Sequence, residues 1–123
     1  MTEKTFDFPK GDSSGIHVVI TVPSTKNINQ KIPIKEFNRR IRDTVKFLRQ
    51  TLRGSTRVMG IGNYKSDEIN QSVTERVAKV ESYTSRKDYN KFDEIIEAWI
   101  NKKKKEWSQE SIGYTYNGKF FLI

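Results

Sequence analysis

Six apolar residues, Ile34, Phe37, Ile41, Val45, Leu48 and Leu52, recur every three or four positions through an otherwise charged stretch. At about 100° per residue they form one stripe, so this stretch reads as a helix that must bury a single face. Pro33 suits its first turn, where a missing N–H costs nothing, and Gly54 offers a stop. Just before it, Ile16-His17-Val18-Val19-Ile20-Thr21-Val22 is a β-branched run halted by Pro23, the pattern of a buried strand. A one-faced helix following such a strand needs a sheet to pack on.

The rest of the chain supplies that sheet. Ser24 to Lys31 reads as a polar loop. Thr56 to Tyr64 and Ser72 to Tyr83 read as strands joined by a polar turn over residues 65–71, close enough to form a hairpin. Ser85 with Asp88 three residues on resembles a capping box and opens a second helix, with Tyr89, Phe92, Ile96, Trp99 and Ile100 on one face. Lys102 to Lys105 suit its C-terminal end, where the helix dipole favours cations. Ser111 to Tyr116 and Lys119 to Ile123 flank Asn117-Gly118, a strong hairpin signal. The order predicts an α+β protein: a ferredoxin-like β-α-β-β-α-β antiparallel sheet, two helices on one face, and a short extra C-terminal hairpin strand. With Pro9, Gly11 and Gly15 interrupting it, residues 1–15 read as a flexible arm, and 16–123 as a single domain.

Several chemistries are excluded. The chain has no cysteine and only one histidine, His17, so neither a thiolate nor a two-histidine metal site is available, and no metal is expected. Gly60-Ile61-Gly62 is a GxG fragment without the third glycine and following helix of a dinucleotide site; no cofactor is expected. Met1 to Lys10 holds no apolar run of signal-peptide length, and no later stretch is long and apolar enough to span a membrane. The expectation is an intracellular, cytoplasmic protein that does not engage a membrane.

Charge supplies a functional lead. The net charge is +8, which favours polyanionic partners. Residues 31–53 hold eight basic and two acidic residues, a local net of +6. Arg39, Arg42, Lys46, Arg49 and Arg53, spaced 3, 4, 3 and 4 apart, share a face roughly 120° from the apolar stripe. Such a row is either a solvated surface or a contact for the phosphate backbone of DNA or RNA. Sheet-face recognition of single strands is disfavoured, because the predicted central strands carry no aromatic besides His17.

A second cluster is polar. Glu75 and Lys79 fall on one face of the third predicted strand, with Glu81 six residues beyond Glu75, and Gln109 and Glu110 sit at the junction after the second helix. Two of these carboxylates converging would give an acid–base pair; otherwise they are sheet-face ion pairs involving Lys79. Phe120-Phe121-Leu122-Ile123 is an apolar terminal strand that would pair with another copy if left open, giving a homodimer through the sheet or that strand.

Short motifs add a resemblance. Gly54-Ser55-Thr56, Gly62-Asn63-Tyr64, Glu75 with Lys79-Val80, and Trp107-Ser108-Gln109-Glu110-Ser111-Ile112 resemble those of a bacterial family of ferredoxin-like domains of unknown function, over the last two-thirds of the chain. The resemblance implies a fold and no activity. The expectation is therefore a small basic binding or accessory module rather than an enzyme, contacting nucleic-acid backbone through the first helix. The alternatives are a homodimeric partner-binding module of viral or mobile-element type, and a small carboxylate-dependent enzyme.

Overall fold

Alternation along β1 (Ile16–Pro23) decides the layering. Ile16, Val18, Ile20 and Val22 are buried in the main core, while His17, Val19 and Thr21 turn to the other side of the sheet. The computed structural model describes residues 15–66 and 69–123, so the expected arm lies, but for Gly15, outside the described residues, as do the two residues at positions 67 and 68 of the 65–71 turn.

The helix α1 (Ile34–Leu52) lays Phe37, Ile41, Leu48 and Leu52 onto that core. Val45 is only half-buried, and Ile34, in the first turn, is 61% exposed. The chain leaves α1 through Arg53, whose φ of 75° is left-handed, so the stop falls one residue before the expected Gly54. The Gly54 carbonyl instead accepts the Ser82 hydroxyl at 2.5 Å, tying the helix exit to the sheet.

The long hairpin forms as β4 (Thr56–Ser66) and β5 (Gln71–Thr84), with β5 pairing antiparallel to β1. The second helix, α2 (Arg86–Glu106), is capped by Ser85, whose hydroxyl accepts the Asp88 N–H at 3.1 Å. It buries Ile96 and Ile100 fully, with Tyr89, Phe92 and Trp99 packed at the margin. Across β1, β6 (Gly113–Tyr116) pairs antiparallel and turns through Asn117 and Gly118, both at positive φ, into β7 (Lys119–Leu122).

Within residues 24–31, read above as a loop, the chain makes two two-residue strands, β2 (Thr25–Lys26) and β3 (Gln30–Lys31). The main sheet runs β4-β5-β1-β6-β7, all antiparallel. This is the ferredoxin-like order with the expected extra strand at one edge. Both helices contribute to the core on one face; the opposite face carries no helix among the described residues, although Val19, Val73 and Val77 on it are buried.

Leu48 is fully buried, whereas Arg42, six positions earlier on α1, is exposed. Leu48→Ala is expected to cost about 2–5 kcal/mol of stability, and Arg42→Ala to stay within about 0.5 kcal/mol. Urea unfolding of both variants checks this separation of core from surface.

Candidate active site

The open face gathers polar groups where β1 ends. Glu75 on β5 stands opposite Gly62 on β4. Its carboxylate accepts the Thr25 hydroxyl at 2.5 Å. Burial pushes the Glu75 carboxyl above the ordinary glutamate range; the bonds from Thr25 and the Ser24 backbone, and the charge of Arg40, pull the other way without cancelling it. Glu110, just after α2, accepts the Ser66 hydroxyl at 2.7 Å. Gln109 donates to the carbonyls of Thr25 at 2.6 Å and Trp107 at 2.9 Å.

These groups border one groove of about 190 Å³, in which Glu75, Gln109 and Glu110 meet apolar Val77, Phe120 and Leu122. Two glycines shape it. A Cβ on Gly62 would lie 3.2 Å from Val77, and one on Gly113 would lie 2.8 Å from the Phe120 ring. Without side chains there, Phe120 lies against β6 and the strand opposite Glu75 stays low. The result is a mixed surface: two carboxylates, an amide, and an apolar wall.

The residue that holds the groove's rim is Arg40, which the sequence reading counted only as one of eight basic residues. It is 3% exposed. Its guanidinium donates to the Pro23 and Thr25 carbonyls, both at 2.9 Å, and to the Trp107 carbonyl at 3.4 Å, and lies 5.4 Å from the Trp107 ring centre. Its Nε, 3.6 Å from the Glu36 carboxylate, makes an ion pair without a hydrogen bond. Burial lowers the Arg40 pKa, and the charge and nearby carboxylate of Glu36 oppose this. The signal was present in the sequence. Arg40 follows Phe37 by three and precedes Thr44 and Leu48 by four and eight, placing a cation within the apolar stripe.

The other expected residues divide. Lys79 is exposed, outside the groove and without an ion pair among the described residues, so the expected Lys79–glutamate pairing does not form; Glu75 takes Thr25 instead, and Glu81 takes His17 at 3.1 Å. His17 also stacks on Tyr83, with ring centres 4.3 Å apart. Four positions along the strand, about 13 Å, separate it from Thr21, where the groove begins on β1. Arg39, Arg42, Lys46, Arg49 and Arg53 are all exposed. Arg39 is bonded to Glu36, while Arg42, Lys46 and Arg49 border a separate depression with Arg57 of β4.

Arg40 and Glu75 should respond oppositely to neutralisation. Arg40→Ala strips three carbonyls of a charged donor and is expected to destabilise by roughly 3 kcal/mol. For Glu75 the sign is reversed. Between the ordinary and raised pKa the folded chain holds a proton that the unfolded chain has released, so stability falls as pH rises through that window. Glu75→Gln still accepts from Thr25 and is expected to be at least as stable as the parent at pH 7. Thermal melts at pH 5 and 7 test both.

No protein-family model matches the sequence, and no curated protein does either. Among solved structures the chain is similar to a phage SAM lyase in complex with S-methyl-5'-thioadenosine, with a TM-score of 0.68 and 17% identity over 94% of each chain. It is likewise similar to a phage SAM lyase in its apo state, with a TM-score of 0.62 and 18% identity over 100% of this chain and 94% of that one. At such identity the likeness establishes the shared α+β fold, over essentially the whole length of both proteins.

Proposed function

We propose that the chain is a lyase of S-adenosylmethionine, acting in the groove bordered by Glu75, Gln109 and Glu110, and that it has a phage or mobile-element origin. The observation that carries this reading is the convergence of two carboxylates and an apolar wall in one groove, on a fold shared end to end with a phage SAM lyase. It favours the carboxylate-enzyme alternative over the accessory module.

The chemistry suits such a groove. S-methyl-5'-thioadenosine keeps the methyl and adenosyl groups, so the bond that breaks joins sulfur to Cγ of the amino-acid portion. The sulfur keeps the bonding pair and becomes a neutral thioether. The remaining fragment balances if the substrate's own carboxylate closes on Cγ, forming a five-membered lactone with no proton transferred. That step joins a sulfonium and a carboxylate into neutral groups. An apolar wall such as Val77, Phe120 and Leu122 favours it over bulk water, which stabilises the separated charges better. Glu75 and Glu110 supply acceptors for an ammonium or for ribose hydroxyls, and Gln109 holds the Thr25 carbonyl in place.

Attraction of this cationic substrate must be local. The chain's net charge of +8 opposes it, but that field is screened beyond about 8 Å at physiological salt. Within the groove the nearer carboxylates dominate.

The test is direct. Purified protein incubated with S-adenosylmethionine should release S-methyl-5'-thioadenosine, read by chromatography, above a heat-denatured control; no excess release overturns the proposal. Glu75→Gln and Glu110→Gln are each expected to lower kcat/KM about 10- to 100-fold, the worth of one hydrogen bond to a charged group. If ionised Glu75 is the working form, activity falls as pH falls through its raised pKa, so the acid limb lies above the ordinary glutamate range. Glu75→Gln should abolish that limb.

A self-associating form is a companion reading. Phe120 and Leu122, 61% and 67% exposed, stand on the open face beside the groove, and β7 is a free edge. A second copy covering them would also exclude water from the groove. Light scattering should then give more than one chain per particle, and Phe120→Lys with Leu122→Lys should return it to a monomer.

A further inference from the structure

The row of cations on α1 is not an isolated stripe. Arg42, Lys46 and Arg49 project toward the edge strand β4, where Arg57 faces them across a shallow depression of about 600 Å³. Arg57 lies on the helix side of the sheet, opposite the buried Val80. This site is therefore on the other side of the sheet from the Glu75 groove. None of the four cations makes an ion pair with a described residue, whereas Arg39, at the start of the row, is held by Glu36. Among the described residues the acid bordering the depression is Asp43. Ser55, also at its border, has its hydroxyl committed to the Val45 carbonyl at 3.2 Å.

Four cations around one depression, with no ion pair to a described residue and only Asp43 beside them among those residues, repel each other, modestly because they are solvated. An anion with several charges at fixed spacing relieves that repulsion. Arg42 to Arg49 spans seven residues, about 10 Å of helix. One strand of a duplex carries a phosphate about every 3.4 Å of its axis, so about three phosphates match that length. Arg57 adds a fourth contact from across the depression. Three of the four cations are arginines, whose planar forks suit phosphate oxygens. Among the described residues no aromatic side chain borders the depression, so these residues offer no stacking platform for unpaired bases.

We infer that the α1–β4 depression binds the phosphate backbone of duplex nucleic acid, without reading its sequence, through Arg42, Lys46, Arg49 and Arg57. This site is independent of the lyase reading. It uses none of the groove residues, and either can fail without the other. Together they would place a SAM-consuming groove on a protein held near nucleic acid.

Fluorescence anisotropy with labelled 20-base-pair DNA and RNA duplexes, a single strand of the same length, and vesicles of phosphatidylcholine with phosphatidylserine tests it. Either duplex should bind in the micromolar range at 50 mM salt. Four phosphates give a log–log salt slope near −3.6, about 100-fold weakening by 200 mM. The ratio of the two duplexes tells which nucleic acid is preferred. Arg42→Glu with Arg49→Glu should abolish binding, and Arg57→Gln should weaken it and reduce the slope by about one. All three positions are exposed, and unchanged melting temperatures keep the comparison valid. Failure of both duplexes to bind at 50 mM salt overturns the inference. So does undiminished binding by the double variant, tighter binding of the single strand, or binding of the vesicles in preference to either duplex.

Discussion

A buried guanidinium organises the end of β1. Arg40 reaches from α1 beneath the chain as it leaves the sheet, and its N–H groups take the carbonyls of Pro23, Thr25 and Trp107. Those three carbonyls belong to segments 84 residues apart in sequence, and no regular ladder would satisfy all of them. Desolvating an arginine costs several kcal/mol. That cost is tolerable here because each bond is charge-assisted and because Glu36 stands beside it. Thr25 can then present its hydroxyl to Glu75, and Gln109 can close the same rim from the other side. Without Arg40 the 24–31 segment would keep its short strand pair, the Asn27–Ser108 backbone bond and the bonds of Thr25 with Glu75 and Gln109, but would lose the charged donor beneath Pro23 and Thr25.

The parts of this fold that follow from local periodicity were legible in the sequence. The stripe of α1, the β-branched run of β1, the Ser85 cap and the Asn117-Gly118 turn each rest on residues within a few positions of one another. Glu75 and Glu110 were legible as carboxylates near strands, because alternation places them. Their partners were not. Thr25 lies 50 positions from Glu75, and Ser66 lies 44 from Glu110, so both pairs depend on how β2 and β4 are placed by the whole sheet. Lys79 shows the converse error. Same-face spacing put it with Glu75, but four residues along a strand is about 13 Å, too far for a direct contact once Glu75 has Thr25.

Arg40 was given no role for a different reason. Sequence patterning sorts residues by polarity, and a charged residue on an apolar stripe is scored as a defect in the stripe. Neighbouring Arg39 and Arg42 reinforced that error, because together they look like one basic surface. The structure divides them. Arg40 is turned inward onto carbonyls, Arg39 is paired with Glu36, and Arg42 is exposed, with no ion pair among the described residues. Three arginines within four residues thus have three different electrostatic environments.

The distribution of charge follows from the layering. Both helices cover one face of the sheet, so cations gather along the exposed flank of α1, while the half-buried carboxylate at Glu75 lies on the face the helices leave open. Glu75 is the odd member. A structural glutamate on an open sheet would be solvated or paired with a cation from a neighbouring strand on the same face. Instead it is partly desolvated, supported by a hydroxyl and a backbone N–H, and its ionised form is disfavoured by its surroundings. Such an arrangement lowers the stability of the free protein above the carboxyl's pKa. A cationic ligand of the kind proposed above would offset that cost, adding to the charge of Arg40 in favour of the ionised carboxylate.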